Sequence, residues 1–166
     1  MDDIAERAGV SKPVLYQHFP SKLELYLALL AESADEMVSL VERALAETND
    51  NDARVHRAVE AYFSFVADHG QAYRLIFESD LRGQAEVAEI VDRATDSCIA
   101  AITETITTDT GADSARARLL AAGLVGLSQV SARYWLSQES GVPREEAIEI
   151  LSTLAWRGIS RFPRQI

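Results

Sequence analysis

Three helix boundaries crowd into the stretch from Ile4 to Glu24, and a short helix-turn-helix is the fold that satisfies all of them. Ile4-Ala5-Glu6-Arg7-Ala8 reads as the end of one helix. Gly9 stands where a chain leaving a helix needs a left-handed residue, which glycine adopts without a Cβ clash. Ser11 is placed to accept a hydrogen bond from a free amide of the next helix, and Pro13 is tolerated in that first turn. Ser21 and Glu24 then have the spacing of a capping box, so a third helix opens there.

The middle helix separates its faces. Leu15 and Phe19 lie four apart and turn inward together, leaving Lys12, Pro13, Val14, Tyr16, Gln17 and His18 outside. Residues 11 to 23 hold no Asp or Glu, although acids outnumber bases 26 to 16 in the chain. A surface of lysines, an amide, a phenol and an imidazole without carboxylates suits a phosphate-lined groove. The formal net charge of −10 argues the other way for the chain as a whole. Screening confines that field to about 8 Å at physiological salt, so the local surface decides.

The run Ile-Ala-x-x-Ala-Gly-Val-Ser-x-x-x-Leu-Tyr-x-His-Phe-x-x-Lys, from Ile4 to Lys22, resembles the DNA-binding signature of the tetracycline-repressor-like (TetR/AcrR) transcriptional regulators. Beyond it the resemblance rests on an all-helical layout and on length. It implies phosphate contacts by Tyr16, His18 and Lys22, and places Ser11, Lys12, Pro13, Val14 and Gln17 at the groove. Gln17 has the donor and acceptor for adenine, Val14 and Pro13 suit a thymine methyl, and Lys12 reaches guanine or a phosphate. Lys22 also opens a helix, where amides and the dipole favour an anion. Family members carry a further helix before this motif. Met1 stands about where their second helix begins, so the helix-turn-helix is expected to be incomplete, lacking the family's first helix.

The remaining chain reads as helices only. Apolar stripes run through residues 22–48 (Leu23, Tyr26, Leu30, Met37, Val41, Ala44, Leu45), 53–69, 84–108, 113–138 and 144–161. Asn49-Asp50-Asn51-Asp52, Gly70, Thr110-Gly111 and Ser140-Gly141-Val142-Pro143 punctuate them. The expected fold is all-α: a helix-turn-helix domain with its connecting helix over 1–45, then a helical ligand-binding and dimerisation domain over 46–166. Leu119 to Leu127 is apolar on every face and contains Gly123 and Gly126. Such a helix must be covered on both sides, and two helical glycines point to an approaching backbone. The resemblance supplies the partner, because the family pairs its last two long helices with those of a second subunit. That puts Gly123, Gly126, Val130, Leu151 and Leu154 at the dimer interface. Tyr62, Phe63, Tyr73 and Phe77, with Phe65, form an aromatic group where the family keeps its effector pocket, so the first four are expected ligand contacts.

Other chemistries find little footing. His18, His56 and His69 lack metal-ligand spacing, and Cys98, the single cysteine, excludes an intrachain disulfide. No cofactor is expected. Neither a nucleophile elbow nor a phosphate-binding glycine loop occurs, so an enzyme is not expected. The uncharged stretch Leu119 to Ala132 is too short for a membrane span of ~20 residues. With Asp2 and Asp3 in place of a basic leader, a cytoplasmic address is expected. The expectation is therefore a homodimeric, ligand-responsive repressor on a roughly palindromic operator, with double-stranded DNA and a small-molecule effector as partners. The alternative is a dimeric small-molecule-binding or heterodimerising body without DNA binding.

Overall fold

The computed structural model describes residues 1–70, 84–137 and 141–159, and among these every regular element is a helix. They are α1 (Asp2–Ala8), α2 (Lys12–His18), α3 (Lys22–Ala46), α4 (Asn51–Asp68), α5 (Ala85–Thr110), α6 (Ser114–Leu136) and α7 (Arg144–Ile159). Helix α3 ties a small head to a larger body. In the head, Ala5, Leu15 and Leu25 are buried, with Met1, Ile4 and Phe19 packed against them. In the body, α3 lies on α4 and α5, α5 on α6, and α4 on α6 and α7.

Local chemistry sets most of the boundaries. Gly9 ends α1 in the left-handed region at φ 68°, and Gly111 does the same for α5 at φ 67°. The Glu24 N–H donates to Ser21 Oγ at 3.1 Å, and the Asp52 and Ala53 amides donate to Asp50 Oδ1 at 2.9 and 3.2 Å. These side chains satisfy donors that the helix itself leaves orphaned. Ser11 departs from expectation: it occupies the N-cap of α2 but its hydroxyl caps nothing. An N-cap oxygen serves the second or third helical amide, and here the second belongs to Pro13, which has none. Gly70 also departs, since α4 closes at His69 with φ −117°. The chain runs straight on into helical conformation at Gly70, so no left-handed residue is required there.

The inward stripe of α3 is Leu25, Leu30, Ala34, Met37, Val41 and Ala44, while Leu23 faces solvent. Phe63, Phe65, Leu30, Met37, Val66 and Val87 are the largest fully buried side chains, so the core sits where α3, α4 and α5 meet. Helix α5 ends at Thr110 with Gly111 as its cap, as expected, and the threonines of its last turns bond inward. The hydroxyls of Thr103, Thr105 and Thr110 donate to the carbonyls of Ile99, Ala101 and Ile106 at 2.6, 3.0 and 2.6 Å. Thr107 likewise donates to Thr103. Each polar group is thereby satisfied within the helix.

Cys98 is buried on α5. Burial pushes its thiol from the ordinary 9.0 up to about 11, with a smaller push from the charge of Glu42. The raised value favours the protonated thiol in the folded chain. That contribution to stability is complete below pH 9.0 and is lost as pH climbs through about 11. Iodoacetamide at pH 8 will therefore label the folded protein about 100-fold more slowly than the denatured chain, which mass spectrometry of the alkylated peptide will measure.

Candidate nucleic-acid interface and effector cavity

Helix α2 offers its outer side to solvent. Ser11, Lys12, Pro13, Val14, Tyr16, Gln17 and His18 are all exposed, and Lys22 is exposed at the start of α3. Leu15 alone on α2 is buried, and Phe19 closes behind it. All eight side chains expected at the groove are therefore accessible to solvent. That surface is not free of carboxylates in space. Packing of α1 on α2 brings Asp2 to 2.7 Å from Lys12 Nζ. The hydrogen bond and charge of Lys12 hold the Asp2 carboxyl below its ordinary range, and Asp2 raises the Lys12 ammonium in return. Both side chains are exposed, so water screens the pair and it adds little to stability. Acid-free spacing along α2 could not reveal an acid delivered by α1.

The body contains a cavity of about 360 Å³ between α3, α4, α5, α6 and α7. Its wall is mostly aliphatic, with Val41 and Leu45 from α3, Val55, Val59 and Tyr62 from α4, Ile102 and Ile106 from α5, and Leu120 and Leu124 from α6. Trp156 of α7 completes it. The α3–α4 and α5–α6 corners close one end, where Asn51, Arg54, Asp109 and Arg116 also line it. Of the expected ligand residues, Tyr62 is on the wall. Phe63 is not: it is fully buried in the core, its ring tilted against Trp135 with centroids 5.6 Å apart. Tyr73 and Phe77 lie outside the described residues. Arg54, Ile106, Leu120 and Leu124 were missed; the all-round apolar run from Leu119 was the signal for Leu120 and Leu124, whereas Arg54 and Ile106 reach the wall through helix packing.

A third surface runs along the outside of α6 and α7. Leu119, Gly123, Val130 and Tyr134 follow one helical stripe, with Leu119 76% and Val130 59% exposed. On α7, which packs on α6, Ile150 and Leu154 are also exposed. A Cβ built on Gly123 or Gly126 meets nothing within 4 Å, so among the described residues no other backbone of this chain approaches them. Gly126 is half-buried. Leu151 is half-buried and packs against the chain's own core, unlike the exposed Leu154.

A helix-turn-helix head joined by one long helix to an all-helical body with an internal cavity defines a DNA-binding transcriptional regulator. Residues 1–29 match the family model for bacterial regulatory proteins of the tetR family, and residues 51–158 match that for the tetracyclin repressor-like C-terminal domain. The chain belongs to the TetR family. It is 50% identical over 163 residues to the HTH-type transcriptional activator FasR of Mycolicibacterium smegmatis, spanning 98% of this chain and 74% of that protein. A TetR-like transcriptional regulator from Rhodococcus sp. RHA1 superposes with a TM-score of 0.74 at 27% identity, covering 97% of this chain and 84% of that one. The regulator FadR from Bacillus subtilis, solved in complex with stearoyl-CoA, superposes at 0.69 with 17% identity, covering 96% and 87%. These relatives are regulators rather than enzymes, and so is this chain. Among the described residues no helix is long and apolar enough to cross a membrane.

Proposed function

We propose that this chain binds a two-fold-symmetric operator as a homodimer, with α2 of each subunit in the major groove, and that an apolar small molecule in the body cavity sets its DNA affinity. The observation that carries the reading is one helix showing six exposed groove-compatible residues, with Ser11 exposed at its N-cap and Lys22 exposed beside it, in a chain that also leaves apolar side chains uncovered on α6 and α7. A dimer through that stripe fixes the spacing of the two reading helices, and half-site spacing in the operator mirrors it. In this reading residues 1–45 form the reading head and 46–166 the sensing and dimerising body. The sign of regulation follows the half-identical relative, which is an activator, and so departs from the repression expected at first.

Selection of bound duplexes from a random pool tests the reading, with recovery of a two-fold motif as the expected result. A pool recovered without symmetry, or no enrichment at low salt, would sink it. Fusing the recovered site to a reporter promoter then gives the sign, and transcription rising with the regulator is the expected direction. Lys22→Ala will weaken binding to every selected sequence alike and reduce the slope of log affinity against log salt by about 1, because one phosphate contact is lost. An altered base preference with an unchanged slope would remove Lys22 from the backbone and return it to base reading.

A further inference from the structure

We propose that Arg54 is the positioning residue through which the contents of the cavity act on α3, and that an anionic headgroup is the chemistry that moves it. The inference rests on the reading of the cavity as an effector site. Arg54 lines the cavity and at the same time holds the far end of the helix that begins in the reading head. Its Nε donates to the carbonyls of Leu45 and Thr48 at 3.0 and 2.7 Å. Nη1 donates to Asn51 Oδ1 at 2.9 Å and to the Asp109 carboxylate, and Nη2 donates to Asn49 Oδ1 at 3.1 Å. Leu45 is among the last four residues of α3, whose carbonyls have no partner inside the helix. One guanidinium therefore closes the α3–α4 corner and pins it to the last turn of α5.

The fork of an arginine is rigid and planar, so its bonds move together. A carboxylate or phosphate arriving from the cavity competes with Asp109 for Nη1. Swinging the plane toward it pulls Nε away from the two carbonyls. Charge selects for such a headgroup, because among the described residues this end of the cavity carries Arg54 and Arg116 against the single acid Asp109. Arg116 has no carboxylate partner among the described residues. Helix α3 has 25 residues, roughly 37 Å of rigid rod, and its first turn is capped by Ser21 in the reading head. Releasing its last turn frees the tilt of that rod and so the spacing of the heads.

Hydrogen–deuterium exchange on the full chain, with decanoate and its uncharged counterpart decanol as probes, tests this. Titration calorimetry gives occupancy, and Leu124→Trp, which fills the cavity, should abolish both bindings. Decanoate is expected to raise exchange at the amides of residues 44–50 by about tenfold at saturation, and decanol by less than about twofold. Arg54→Lys keeps the charge and loses the fork. Its corner should exchange faster without ligand and gain little more from decanoate, whereas a merely structural arginine would leave the decanoate response intact on a weaker background. Binding of decanoate with unchanged exchange at the corner overturns the coupling and leaves the cavity reading standing. An equal response to decanol overturns the headgroup selection. Absence of binding, or binding indifferent to Leu124→Trp, sinks the cavity reading and this inference with it.

Discussion

The double variant Val130→Glu, Leu154→Glu will sediment as a monomer at micromolar concentration and will bind the operator about 100-fold or more weakly than the parent. Both side chains stand on the uncovered stripe of α6 and α7, at 59% and 57% exposure. Covering an aliphatic side chain of this size stabilises by roughly 1.5 to 3 kcal/mol. In a two-fold interface each substitution acts twice, and each new carboxylate must be buried without a partner or keep the subunits apart. The loss in DNA affinity follows from geometry. Two reading heads on one rigid body bind the second half-site intramolecularly, an advantage of 10²–10⁴ that a monomer forfeits. Since the positions are exposed in the isolated chain, the helical circular dichroism should be unchanged, which separates loss of assembly from loss of fold. A variant that remains dimeric would move the interface away from this stripe.

The features legible in the sequence are those settled within a few residues. Gly9 and Gly111 each need only their own backbone to end a helix, and Ser21 and Asp50 reach amides two or three positions away. Spacing of 3.6 likewise tells which side of α6 faces in, yet it cannot name the neighbour on the other side. Apolar composition all round Leu119–Leu127 demanded two coverings, and the fold supplies one through Ala117, Ala121 and Val125. Long-range pairings stayed hidden. The ion pair of Arg54 with Asp109 spans 55 positions, and that of Lys12 with Asp2 joins two helices across a turn. Phe63 shows the same limit. Aromatic density marked the right helix, but Tyr62 and Phe63 are adjacent, about 100° apart around α4, and Tyr62 reaches the cavity wall from the core while Phe63 stays wholly within it.

That divergence between neighbours carries the second large effect, on stability. Phe63→Ala will destabilise the body by about 3 to 5 kcal/mol, because the ring is completely buried and its removal leaves a void that packed helices close only in part. The contact with Trp135 is lost as well, and Trp135 is itself held by its indole N–H donating to the Val142 carbonyl at 2.8 Å. For a chain of this size the melting temperature should fall on the order of 10 °C. Leu124→Ala makes the informative contrast. Leu124 is half-buried and already borders empty space, so fewer contacts vanish and the cost should stay near 1 kcal/mol. Its consequence belongs instead to the affinity for a ligand that fills the cavity. Scanning calorimetry on the two variants, with and without decanoate, separates a residue that holds the body together from one that shapes the space inside it. Equal melting temperatures for the two would mean that Phe63 and Leu124 share one environment, and the boundary between core and cavity drawn along α4 would have to move.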